Sequence, residues 1–164
     1  MGKIKFYADA TKIGMPFICI NEGGFENAVM LIDTGSNNNI LFGYVYEQVK
    51  DQLQEVKGDY VITGIDGETK KASAVVGNMP FCGKRYEMTF LVKDEGDPGP
   101  MLSKEIGIPV IGIIGTLFMA EHDWVLDFAK QEVLIPDTDV SVGEFRSVLS
   151  QRGTATCMTT LKRR

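Results

Sequence analysis

Apolar residues in this chain arrive in short runs, each stopped within a few positions by glycine, proline, asparagine or aspartate, and this constrains the fold more than any other feature. Pro16 to Ile20, Ala28 to Ile32, Tyr60 to Thr63, Thr69 to Val76, Tyr86 to Val92, Pro109 to Ile114, Trp124 to Phe128 and Glu132 to Ile135 all read as strands. Asn21-Glu22-Gly23-Gly24 separates the first two. Gly64-Ile65-Asp66-Gly67 tips a hairpin, with Asp-Gly supplying the turn. Ala129-Lys130-Gln131 joins the last pair, and Asp94 to Pro100 is a polar loop. Helical spacing shows only over Tyr44 to Gln54, with short helical stretches at Thr116 to Glu121 and Val142 to Leu149. The expectation is a mainly β domain, a closed or partly open small barrel with two or three short helices. The 18 glycines suit that many turns.

At 164 residues the chain has the length of one domain, with 44% hydrophobic and 24% charged residues, ordinary for a globular protein. We divide it into a domain over 1–140 and a C-terminal extension over 141–164, a short helix or a tail. The net charge is −5, and the one basic cluster is Lys162-Arg163-Arg164, so no nucleic-acid partner is expected. No apolar stretch approaches the ~20 residues of a membrane helix. Cys19, Cys82 and Cys157 are far apart and form no CxxC pair, and His122 is the only histidine, so no metal site and no cofactor are expected. Free thiols and the lack of a recognisable leader point to the cytoplasm. His122 reads as a loop residue and Trp124 as core.

Chemistry concentrates at Leu31-Ile32-Asp33-Thr34-Gly35-Ser36. An apolar strand delivers an acid into a Thr-Gly-Ser turn. The strand fixes the acid's backbone, Gly35 permits close approach of backbone N–H groups, and the hydroxyls of Thr34 and Ser36 can orient the carboxylate. A carboxylate held in this way is a candidate acid or base. The same residues also suit a plain turn at a strand end. A second motif, Val110-Ile111-Gly112-Ile113-Ile114-Gly115, follows some eighty residues later.

Together these elements resemble the retropepsin-like aspartic peptidases, including their bacterial and DNA-damage-inducible relatives. The parts come in the family's order: the Asp33-Thr34-Gly35-Ser36 loop, a glycine-tipped hairpin at Gly64 to Gly67 like the flap, then Ile113-Ile114-Gly115, and Val125-Leu126-Asp127-Phe128 after it. The resemblance spans Pro16 to Ile135. It implies an acid-protease type of β fold and an aspartic endopeptidase acting on peptide or protein substrates as a homodimer. Asp33, Thr34 and Gly35 would be the catalytic residues. Ser36, Gly64, Ile65, Asp66, Gly67 and Ile114 would serve substrate binding, with Ile114 and Gly115 packed beneath the catalytic loop. Two carboxylates are needed because one cannot readily be both base and acid in one hydrolytic step. This chain carries one Asp-Thr-Gly; Asp137-Thr138-Asp139 lacks the glycine. Two positions depart from the pattern. Asn37-Asn38-Asn39 is unusually polar, and Thr116 stands where viral members carry an arginine that braces the dimer. A peptidase-fold module that binds or dimerises without cutting is the alternative, and a domain cut from a longer chain is a third reading.

Overall fold

The computed structural model of the chain describes residues 1–6, 14–20, 27–64, 66–93, 96–136 and the backbone of 156–158. Its strands are β1 (Gly2–Lys5), β2 (Phe17–Ile20), β3 (Ala28–Asp33), β4 (Asn39–Phe42), β5 (Gln54–Thr63), β6 (Thr69–Phe81), β7 (Lys84–Lys93), β8 (Val110–Gly115), β9 (Val125–Asp127), β10 (Glu132–Ile135) and β11 (Thr156–Met158). Three short helices lie between them: α1 (Gly43–Val49), α2 (Gly99–Ile106) and α3 (Thr116–Glu121). The strands form an eight-stranded sheet in the order β11-β5-β6-β7-β4-β8-β3-β2 and a three-stranded sheet in the order β1-β10-β9. Of the two expected architectures the chain adopts the open one: the sheets are not closed into a barrel. An isolated bridge from Phe6 to Ile18 links the first strand's end to β2.

The unbroken apolar run of β3 has a direct cause. Antiparallel β2 covers one edge and parallel β8 the other, and both faces are buried. Met30 and Ile32 point into the main core with Val75, Phe90 and Ile114. Val29 and Leu31 point the opposite way, into a second core with Phe17, Ile40, Phe42, Val110 and Leu102 of α2. Alternate residues therefore serve different cores, and none can be polar. The catalytic-loop candidate begins at the end of this doubly buried strand.

Several boundaries differ from the sequence reading. The helix expected over Tyr44 to Gln54 ends at Val49 and tightens into a 3-10 turn at Lys50–Gln52. Leu53 is already extended, and Gln54 pairs with Val76, so the long hairpin takes the last residue of the apparent helix. The return strand of that hairpin runs to Phe81, beyond Val76, and turns into β7 through Cys82 and Gly83, both at positive φ (53° and 75°) as a two-residue type I′ turn requires. β1 and β4 lie in stretches with no expected element, α2 begins within the expected loop of Asp94 to Pro100, and β11 falls in the C-terminal extension expected to be a short helix or a tail. For α2 the signals were present: Pro100 in its first turn, and Gly107 in the left-handed region (φ 79°) closing it with a bond from its N–H to the Ser103 carbonyl, 2.8 Å. The expected turn at Asn21 to Gly24, the residue Ile65, the Asp137-Thr138-Asp139 stretch and the helix over Val142 to Leu149 lie outside the described residues.

Candidate active site

β8 lies between β3 and β4, parallel to the first and antiparallel to the second. The chain must therefore carry residues 34–38 from the end of β3 across the end of β8 to enter β4. That crossing explains the glycines of the second motif. A Cβ on Gly115 would fall 2.5 Å from the Asn38 carbonyl oxygen and 2.8 Å from that of Asn37. A Cβ on Gly112 would overlap the Ile40 backbone. Both glycines are required by close approach of backbones.

In the parallel register of β3 and β8, Asp33 is opposite Gly115 and Ile32 opposite Ile114. Asp33 is half-buried, and its Oδ1 accepts the Gly35 N–H at 2.8 Å. The Ser36 N–H closes the turn on the Asp33 carbonyl at 3.1 Å. Thr34 is exposed at the apex. The far side of the loop is tied to α3: the Ser36 carbonyl accepts both the N–H of Thr116 (2.8 Å) and its Oγ1–H (3.0 Å), and the Asn37 carbonyl accepts the Leu117 N–H (3.1 Å). The first N–H groups of a helix lack intrahelical partners; here the loop supplies them.

Asn39 is the residue that sequence reasoning missed. It is buried, its Oδ1 accepts the Gly115 N–H at 3.0 Å, and its Nδ2 donates to the Thr89 carbonyl of β7 at 3.1 Å. From β4 it thus joins β8 to β7. The sequence signals are the unusually polar Asn37-Asn38-Asn39 run and its position directly before the apolar Ile40-Leu41-Phe42.

The other expected site residues divide into two groups. Ser36 and Ile114 are both fully buried. Ser36 Oγ donates to the Asn38 carbonyl at 2.8 Å, and Ile114 belongs to the main core. In a single subunit both support the loop from within. Gly64, Asp66 and Gly67 occur together at the tip of the β5–β6 hairpin, as expected. There the Gly64 N–H bonds the Glu68 carbonyl (2.8 Å), the Gly67 N–H bonds the Gly64 carbonyl (3.1 Å), and Asp66 Oδ1 accepts the Glu68 N–H (3.0 Å). Gly67 has φ 83°, which glycine alone adopts freely. A cavity of about 240 Å³ opens beside the tip, bounded in part by Ile62, Gly64, Asp66 and Val92. Asp33 is not among the residues that line it.

His122 is half-buried at the end of α3, its ring 4.5 Å from that of Phe118 and 5.0 Å from that of Tyr86. Burial pushes its pKa below the usual histidine value, against the opposing pull of Glu121 and Asp123. It is a packing residue of an aromatic cluster that includes Trp124, which is core as expected.

No family model matches the chain, and no curated protein matches it. Among solved structures it is similar to the retroviral protease-like domain of Ddi1 from Leishmania major. The identity is 14% and the TM-score 0.44, over 67% of this chain and 79% of that one.

Proposed function

We propose that the chain is one subunit of a homodimeric aspartic endopeptidase of the retroviral type, in which two copies of Asp33 meet at a shared site and hydrolyse peptide bonds of a peptide or protein substrate. The observation that carries this reading is the placement of Asp33: a half-buried carboxylate at the end of a doubly buried strand, bonded by the Gly35 N–H, in a loop held across Gly115. The resemblance of the Asp33 to Ser36 and Ile113 to Gly115 motifs supports it.

The chemistry needs the second copy. Two carboxylates ~3 Å apart cannot both ionise, so the pair holds one proton. The ionised Asp33 takes a proton from water as the water oxygen bonds to the scissile carbonyl carbon. The protonated Asp33 passes its proton to the carbonyl oxygen. Collapse of the tetrahedral diol breaks the C–N bond: the proton held by the first carboxylate goes to the leaving amine, and one hydroxyl proton of the diol returns to the second carboxylate. The products are a new carboxyl terminus and a new amine, and the pair again holds one proton. Thr34, exposed at the loop apex, would meet the partner's loop. The glycine-tipped hairpin is the element that would close over the bound peptide.

Cleavage of a mixed peptide library by wild type and Asp33→Asn, with sedimentation over a range of concentrations, tests the reading. General acid–base catalysis contributes about 10²–10⁴-fold, and the substitution should remove at least that while leaving the folded dimer intact. Undiminished cleavage by the pure variant would refute the assignment. A folded dimer without cleavage would instead favour a binding or dimerisation module.

A further inference from the structure

The loop that carries Asp33 is anchored at both ends by strands, and the Asn39 side chain ties its exit to the strand it crosses. Asn39 begins β4, directly after the crossing, and its Oδ1 takes the N–H of Gly115, the residue opposite Asp33 in the β3–β8 register. Its Nδ2 is held by the Thr89 carbonyl, which fixes the amide's orientation. A buried side chain that makes both bonds has no freedom to slide. The space between Gly115 and the Asn37 and Asn38 carbonyls is too small for a methyl group, so the height of the crossing depends on where Gly115 is held. The Asp33 carboxylate hangs from the near end of the same loop through the Gly35 N–H.

We infer that Asn39 is a positioning residue for the Asp33 carboxylate. It sets the level of the Gly115 backbone and thereby the geometry of the Asp33 to Gly35 turn, from inside a single subunit. Thr116, in the position of the viral arginine, assists by giving both its N–H and its hydroxyl to Ser36. The polar Asn37 to Asn39 run is then an internal brace for the active loop. The inference rests on the peptidase reading where it concerns catalysis, yet the geometric part can be read without any substrate.

The test uses the full chain labelled for NMR, with Asn39→Leu and Asn39→Asp. The Gly35 amide proton reports its bond to Asp33, and hydrogen exchange of the Gly115 amide reports its bond to Asn39. Asn39→Leu should speed exchange at Gly115 and move the Gly35 resonance. In active protein it should lower kcat by about tenfold to a hundredfold, as a misplacement near 1 Å does, with KM changed less than about twofold. Asn39→Asp keeps the acceptor for Gly115 but loses the donor to Thr89, so Gly115 protection should fall between wild type and Asn39→Leu. If Asn39→Leu does not fold, Asn39→Ala is read in the same way. Deprotection of Gly115 with the Gly35 resonance and kcat unchanged would overturn the inference and leave Asn39 a purely structural residue. If no cleavage depends on Asp33, the peptidase reading fails and the Gly35 resonance alone decides the positioning role.

Discussion

The loop of residues 34–38 and the hairpin tip around Gly64 and Gly67 are both short, both glycine-containing and both part of the proposed site, yet they are held in opposite ways. The loop is surrounded: Ser36 is buried, its carbonyl takes two bonds from Thr116, the Asn37 carbonyl takes one from Leu117, and Gly115 lies directly beneath. The tip bonds to itself, through Gly64, Asp66, Gly67 and Glu68 and the pairing of the Thr63 and Thr69 hydroxyls at 3.0 Å. Residues Gly64 and Asp66 to Lys71 are exposed, and burial resumes only at Ile62 and Ala74, where a small cluster with Leu91 closes the hairpin's base. Segments with few buried contacts and solvent-exposed backbone bonds open at low cost, whereas packed ones open only with the whole fold. The proposed site, which would hold a carboxylate still while admitting a peptide, needs one element of each kind.

Substitution should therefore be felt unequally in the two regions, and the largest effect belongs to the loop. Gly115→Ala puts a methyl group against backbone atoms of Asn37 and Asn38 that belong to a clamped crossing. Over-packing of this kind costs up to about 3 kcal/mol, and the upper end applies because backbone must shift. Urea unfolding measures it. A loss below about 0.5 kcal/mol, the size of an ordinary surface change, would show that the loop yields as easily as the tip and would end the contrast.

The sequence made the two regions legible to different degrees, for physical reasons. Asp33 to Ser36 was readable because it follows a wholly apolar strand, and the hairpin tip because Asp66-Gly67 is turn chemistry at the short range where sequence speaks most clearly. β4 was not readable. Four residues, Asn39 to Phe42, carry no alternation because Ile40 and Phe42 face one core and Leu41 the other. The role of Asn39 was hidden for a related reason: its partners, Gly115 and Thr89, are far along the chain, and an asparagine before an apolar run resembles a loop residue until topology places a strand on each side of it. The burial of Ser36 and Ile114 was hidden as well, because adjacency in sequence to the proposed catalytic residue does not say which way a side chain points.

A smaller effect should appear on the loop's side as pH falls. α3 presents its first N–H groups to the loop and carries His122 at its other end, against Phe118 and Tyr86. Burial holds the His122 pKa below its unfolded value of about 6.5. Below that pH the unfolded chain binds more protons than the native one, so this contribution is complete above pH ~6.5 and is lost as pH falls through the native value. Urea midpoints measured from pH 8 to pH 5 should fall more steeply for wild type than for His122→Phe, which keeps a ring in the cluster without a titrating group. Parallel curves would show that protonation is accommodated at the surface and that this end of α3 does not bear on the loop.

The smallest effect is expected at the tip. Asp66→Ala removes the oxygen that accepts the Glu68 N–H, but both residues are exposed and water can replace the bond. Global stability should change by less than about 0.5 kcal/mol. Locally the outcome differs, because that bond is one of the few that shape the turn. Exchange of the Glu68 amide should accelerate while that of Leu117, bound to the Asn37 carbonyl, does not. A variant in which both amides accelerate together would mean that hairpin and loop open as one unit, and the division between a rigid base and a yielding cover would no longer describe the molecule. Acceleration confined to the tip would establish the separation that the proposed peptidase needs for substrate entry over a fixed Asp33.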